Sequence, residues 1–76
     1  MKLRNINSKK TVKAFEKMGL RRVDQQGTHV ILKGTLNGRK VTIVIPIHHK
    51  EIPLGTLTDL INNQACITRK EFFDYY

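Results

Sequence analysis

The stretch THVILKGTLNGRKVTIVI, Thr28 to Ile45, carries two runs rich in β-branched residues around Asn37-Gly38. Asn-Gly between alternating apolar residues is the strongest short-range signal for a two-residue hairpin turn. A two-residue loop at Asn37 and Gly38 makes paired positions sum to 75. Leu32 then faces Ile43, Val30 faces Ile45 and Gly34 faces Val41, all on one side. The other side carries His29, Ile31, Lys33 and Thr35 opposite Pro46, Val44, Thr42 and Lys40. Turn chemistry and hydrophobic alternation agree on one register, because a slip of one residue would turn the apolar set outward. The hairpin therefore has an apolar face that needs covering and a mostly polar face that does not. Such a sheet takes helices on one side only.

The flanking sequence supplies those helices. Ser8 is the expected N-cap of a helix over KKTVKAFEKM, and Gly19 sits where a left-handed C-cap belongs. Val12, Phe15 and Met18 fall on one side of it, with Lys9, Lys10, Lys13 and Lys17 mostly on the others. LRRV begins a short strand that ends near Gln25-Gln26-Gly27. LGTLTDLINNQ places Leu54, Leu57, Leu60 and Ile61 on a stripe, and Thr68 with Glu71 forms a capping box ahead of a last short helix through KEFFDYY. The expected order is α-β-β-β-α plus a short C-terminal α: an α+β fold with a three-stranded antiparallel sheet, as one domain over residues 1–76.

The chain of 76 residues is 39% hydrophobic, enough for one modest core. The longest apolar run, Val41 to Ile47, is broken by Thr42 and Pro46, far short of a membrane span. MKLRNINSKK has basic residues with no apolar stretch behind them, so no signal peptide is expected and the expected location is the cytoplasm. Cys66 is the single cysteine, which excludes an internal disulfide and a cysteine-based metal cage. The net charge is +8 and is unevenly spread. Residues 1–50 hold twelve Lys and Arg against Glu16 and Asp24, a net of +10, while residues 51–76 have a net of −2. A basic face of this kind attracts phosphate backbones or an acidic protein.

The register puts His29 on the open face beside Pro46, at the end of the hairpin. Proline has no amide hydrogen, so strand pairing is expected to fail there. The chain leaves Pro46 as IHHKE, which brings His48, His49 and Lys50 out near His29. Three readings of His29 stand side by side. An exposed strand-end histidine commonly does nothing in particular. A metal site is poorly supplied, since His48 and His49 diverge in an extended chain and His29 has no nearby carboxylate except across the hairpin. General acid–base chemistry on RNA needs a positioned base for the 2′-hydroxyl and cations for the phosphorane charge, with no obligatory metal or other cofactor.

The order SKKTVKAFEKMGL, QGTH, an Asn-Gly hairpin, then VTIVIPIHHKEIPLGTLTDLI resembles the HicA toxins of bacterial and archaeal toxin–antitoxin pairs, from about Asn7 to Phe73. Its most specific pieces are Gly-[Ser/Thr]-His at the head of the second strand and IPLGTL at the second helix. Thr28 stands where the family commonly has Ser, and NNQACI where it usually has a Gly-containing connection. The resemblance implies a fold like the double-stranded RNA-binding domain, an mRNA-cleaving activity with His29 as the catalytic histidine, and a HicB-like antitoxin that masks the toxin. His48 and His49 match no catalytic position of the family.

Domains of that fold touch RNA with the first helix, a strand loop and the start of the last long helix. Here those places hold Lys9, Lys10, Lys13 and Lys17, then Arg39 and Lys40, then His48, His49 and Lys50, with Lys33 on the same open face as His29. A non-catalytic double-stranded RNA-binding module is the alternative, and it has no use for His29. Ile31 and Val44, cross-strand neighbours on the open face, are candidate antitoxin contacts.

Overall fold

The computed structural model describes residues 6–47 and 50–76. Helix α1 (Ser8–Lys17) leads into β1 (Arg21–Gln26), β2 (His29–Leu36) and β3 (Arg39–Pro46). A short helix α2 (Leu54–Asp59) runs directly into a π-helical turn (Leu60–Gln64), and α3 (Arg69–Tyr75) closes the chain. The strands form one antiparallel sheet in the order β1-β2-β3. This is the expected α+β order with its open sheet and its final short helix.

The hairpin register is the expected one, from Leu36 opposite Arg39 to His29 opposite Pro46. Asn37 and Gly38 both take positive φ, 53° and 78°, as a primed two-residue turn requires. Val30, Leu32, Ile43 and Ile45 are buried on one face. They meet Val12 and Phe15 of α1, Leu57 of α2, Leu60 and Ile61 of the π-turn, and Phe72 of α3 in one cluster. The rings of Phe15 and Phe72 lie 5.5 Å apart, so α3 packs on α1 over the sheet. Tyr76 completes this layer: its hydroxyl accepts from the Asn7 amide at 2.9 Å, and Lys10 Nζ sits 4.5 Å from its ring centre.

Pairing does not fail at Pro46, contrary to the sequence expectation. Counting from the closing pair Leu36–Arg39, the pair His29–Pro46 is a non-hydrogen-bonded one, so the nitrogen of Pro46 points away from β2 to the free edge of the sheet. The ladder continues beyond it, with the Ile47 amide donating to Thr28 O at 2.7 Å. The N-cap of α1 is Asn7, not Ser8. Asn7 Oδ1 accepts from the Lys10 amide at 2.9 Å, while Ser8 is buried and its amide and hydroxyl donate to Lys50 O at 2.9 and 3.3 Å. Leu54 does not join the buried stripe: it is 54% exposed, and Ile52, just ahead of the helix, fills the core instead.

In the NNQACI segment, Cys66 takes a positive φ of 56°. Ala65 N donates to Leu60 O at 2.8 Å, the i to i−5 bond of a π-turn, and Ile67 N reaches Ile61 O at 2.9 Å. The capping box at α3 is present in both directions, Glu71 N to Thr68 Oγ1 and Thr68 N to Glu71 Oε1, each 3.1 Å. Asn37 Nδ2 donates to Glu71 Oε2 at 3.1 Å, which ties the hairpin turn to the start of α3. That bond, then the Thr68 amide, holds the Glu71 carboxyl below the usual carboxylate range.

Gly34 of β2 packs tightly against the chain leaving α1. A Cβ placed there would lie 2.7 Å from Leu20 Cδ2, 3.1 Å from Leu20 Cα and 3.2 Å from Gly19 O. Two of those atoms are backbone and cannot swing aside. Gly34→Ala is therefore expected to destabilise by about 1–3 kcal/mol, the usual range for overpacking. Urea denaturation followed by circular dichroism measures it; an unchanged midpoint would show that the Gly19–Leu20 backbone yields freely.

Candidate functional site

His29 is the first residue of β2, at the end of the sheet away from the Asn37–Gly38 turn, and is exposed. Its neighbours in the sheet are Gln26 on β1 and Pro46 on β3. It lines a cleft of about 410 Å³ together with Val44, Pro46, Glu51, Pro53, Thr56 and Gln64. The strand register brings His29, Val44 and Pro46 to one face. The segment before α2 contributes Glu51 and Pro53, α2 contributes Thr56, and the π-turn contributes Gln64.

Each wall is held from outside the cleft. The Ile47–Thr28 bond anchors Pro46. Around Glu51 the backbone is pinned on both sides: Ser8 N donates to Lys50 O and Ile52 N to Ile6 O, both at 2.9 Å, forming a bridge between Asn7 and Glu51. Pro53 caps α2, its carbonyl accepting from the Leu57 amide at 3.0 Å. Gln64 reaches the free edge of β3, where its Oε1 accepts from the Val44 amide at 3.0 Å. The Gln64 Nε2 donates in turn to Asp59 Oδ2 at 2.9 Å, and Asn63 Nδ2 donates to Asp59 Oδ1 at 2.8 Å. These two bonds, Asn63 first, hold the Asp59 carboxyl below its ordinary value.

The structure divides the residues singled out from the sequence. Ile31 and Val44 face each other on the open side, Ile31 half-buried and Val44 38% exposed, and Val44 also lines the cleft. Lys33 and Lys40 border a shallow depression with Thr35 and Thr42 on that same side. Arg39 is exposed beside the turn, and Lys50 is exposed next to the cleft residue Glu51. His48 and His49 lie outside the described residues.

The lysines of α1 belong to the opposite layer. Lys9 and Lys13 line a separate groove of about 210 Å³ with Glu16, Arg22, Val12, Val30 and Ile47. Val30 and Ile47 are the chain neighbours of His29 and Pro46, so this groove backs onto the same end of the sheet from the helical side. Lys17 is exposed further along α1, and Lys10 is engaged with Tyr76. Sequence reasoning missed Glu51, Thr56 and Gln64. Thr56 lies within the IPLGTL motif, but nothing in local spacing signals that the π-turn folds Gln64 back to β3. Among the described residues no group of three or more His, Cys, Asp or Glu is placed to hold a metal ion, and no helix is long and apolar enough to cross a membrane.

A small basic α+β domain with a histidine at the mouth of a cleft on an open sheet is thereby defined. The family model described as the HicA toxin of bacterial toxin–antitoxin matches residues 8–65, which span α1 through the π-turn. The chain belongs to the HicA toxin family. It is accordingly the toxin half of a toxin–antitoxin pair, and an antitoxin partner is implied. No curated protein and no solved structure matches the chain.

Gln64 is the clasp that closes the cleft onto the sheet edge. Gln64→Ala is expected to lower stability by about 0.5–1.5 kcal/mol, the net worth of an ordinary hydrogen bond. It should also speed hydrogen exchange at the Val44 amide, which NMR reads residue by residue. Unchanged exchange at Val44 would show that the clasp does not hold in solution. Acid loosens the same clasp from the Asp59 side. The Asp59 pKa is lowered, so the contribution is present above the ordinary carboxyl range and is lost as pH falls through the lowered value.

Proposed function

We propose that this toxin is a metal-independent endoribonuclease that cleaves mRNA in the cytoplasm, with His29 as general acid–base, and that a HicB-like antitoxin silences it by covering the open sheet face. The observation that carries the reading is the position of His29, exposed at the mouth of a walled cleft on the sheet face that also carries Lys33 and Lys40, in a chain of the HicA family.

RNA supplies its own nucleophile. His29 takes the proton of a 2′-hydroxyl as the oxygen attacks the adjacent phosphorus; the bond from phosphorus to the 5′-oxygen breaks, that oxygen takes a proton from water, and the imidazolium returns its own proton to the hydroxide so formed. The positioned imidazole provides the proton transfer, and nearby cations offset the charge gathering on the phosphorane oxygens. Lys50 flanks the cleft through its neighbour Glu51. Lys33 is four residues along β2 from His29, about 13 Å at 3.3 Å per residue, too far to touch the reacting phosphate. Its role, with Arg39 and Lys40, is to hold backbone phosphates further along the strand. Lys9, Lys10, Lys13 and Lys17 extend the positive field around the helical side, and His48 and His49 complete the proposed RNA contacts.

The double-stranded RNA-binding alternative shares these cations but leaves the cleft beside His29 without a task. For the antitoxin, one docked surface over Ile31, Val44 and His29 buries the apolar pair and the reactive group together. Lys33, Lys40 and Lys50 around it favour an acidic partner and fast association. Capture and catalysis then compete for one face.

His29→Ala is expected to lower RNA cleavage by roughly 10²–10⁴-fold with the circular dichroism spectrum unchanged, and cleavage by the wild type is expected to persist in excess EDTA. A folded, fully active His29→Ala protein would sink the catalytic reading. Activity lost on chelation and restored by one metal would overturn the metal-independent one.

RNA affinity should fall steeply with salt, each neutralised phosphate adding about −0.7 to −0.9 to the slope of log K against log salt. Replacing Lys9, Lys10 and Lys13 by Gln should flatten that slope and weaken all sequences alike. Titration at several salt concentrations checks it, and a loss confined to one RNA sequence would mean that these lysines read bases.

Ile31→Asp and Val44→Asp, in a His29→Ala background, should each weaken antitoxin binding by about tenfold or more, since a charge is then placed in an apolar contact. Calorimetric titration against the antitoxin is the measurement. If both variants fold and bind like the parent, the docking surface lies elsewhere, with the outer face of α1 next in line.

A further inference from the structure

We propose that the cleft beside His29 is a base-recognition subsite that takes one unstacked guanine adjoining the scissile phosphate, with the Glu51 carboxylate reading the guanine edge. The proposal rests on the endoribonuclease reading above and assigns the cleft its ligand.

The cleft has the dimensions of a small-ligand site, about 410 Å³. Its apolar walls are Val44, Pro46 and Pro53, flat and stiff surfaces of the kind on which a splayed-out base rests. Its polar groups are few and differ in availability. Gln64 is spent at both ends of its amide, on Val44 and Asp59. Glu51 and Thr56 differ from it: among the described residues no hydrogen bond or ion pair engages the Glu51 carboxylate or the Thr56 hydroxyl. The backbone on each side of Glu51 is nonetheless pinned to the entry of α1, so the side chain that carries the acceptor starts from a fixed point of the cleft wall.

An available carboxylate is out of place on a phosphate-binding surface unless it meets a donor. Asp24, placed by the register on the open face opposite Ile31, shows the contrast. Its oxygens accept from the Gln25 amide at 2.7 Å and from Gln26 Nε2 at 3.4 Å. Glu51 repels a phosphate, so the group it admits is a base edge rich in donors. Guanine alone among the four bases presents two adjacent donors, N1–H and N2–H, which a carboxylate accepts in bidentate fashion. Adenine and cytosine set an acceptor beside their amino group, and uracil flanks its single N–H with two carbonyls; each opposes a carboxylate. The Thr56 hydroxyl can donate to the guanine O6. A base held here lies against His29 and so selects which 2′-hydroxyl is presented to the imidazole.

The test uses the intact chain and the four nucleoside 3′-monophosphates, titrated by NMR, together with mapping of cut sites on a mixed-sequence RNA. Guanosine 3′-monophosphate should bind most tightly, by about tenfold or more, the discrimination a bidentate base contact supplies. Its shifts should centre on Val44, Thr56 and Gln64, and cuts should cluster beside guanine. Glu51→Gln presents one acceptor and one donor, and should move the preference from guanine towards adenine and cytosine in both assays, a change that mere loss of structure would not produce. Equal binding of all four nucleotides, with RNA still cut, would overturn the subsite and leave the nuclease reading intact. A guanine preference lost in Glu51→Gln, in a chain that cuts no RNA, would support the subsite and remove the nuclease reading instead. A Glu51→Gln chain that binds antitoxin more weakly but ranks the nucleotides as before would overturn the proposal and assign the cleft to the partner.

Discussion

The two-residue turn at Asn37 and Gly38 sets the parity of the hairpin, and the rest of the molecule follows from that parity. Both residues sit at positive φ, which Asn tolerates and Gly adopts freely. With the turn fixed, Val30, Leu32, Ile43 and Ile45 all face the helices and His29, Ile31, Val44 and Pro46 all face outward. A register slip of one residue would bury His29 and expose the core set. The covered face secures the fold; the bare face is left available for function.

The same parity decides what the free edge of the sheet can do. Outward-pointing amides on β3 are an invitation to unwanted strand pairing. At Val44 the amide is occupied by Gln64, and at Pro46 there is no amide to occupy. The edge is thus blunted along the segment beside His29, and the groups that blunt it are cleft walls. Edge protection and cleft construction use the same groups, Gln64 and Pro46. The wider turn is what lets Gln64 reach Val44 while Leu60 and Ile61 stay buried.

On the proposed reading, RNA and an antitoxin compete for one positive surface. The open face carries Lys33, Lys40 and an apolar pair, whereas the α1 lysines occupy the helical side. An antitoxin seated on the open face would exclude RNA from the cleft while leaving the groove of Lys9, Lys13 and Arg22 exposed. Inhibition by coverage therefore needs only the end of the sheet around His29, a small part of the basic surface.

The hairpin register, the helix over Val12 and Phe15, the capping box at Thr68 and the left-handed Gly19 were legible in the sequence, because each rests on residues within a few positions of one another. The outward position of His29 follows from the same local rule. What went astray depended on partners far along the chain. Ser8 is a sound N-cap by type, but the carbonyl of Lys50 draws it inward and Asn7 takes the cap. Leu54 matches the helical stripe, but Ile52 already fills the core at that point. Pro46 ends a pairing pattern only when its nitrogen faces the partner strand, and here it faces the edge. The local sequence by itself determined the sheet, its two faces and the outward position of His29, since turn geometry and side-chain alternation are short-range. Only the tertiary structure decided that Glu51, Thr56 and Gln64 join His29 around one cleft, because contacts between residues 22 to 35 positions apart are set by packing, to which local spacing is blind.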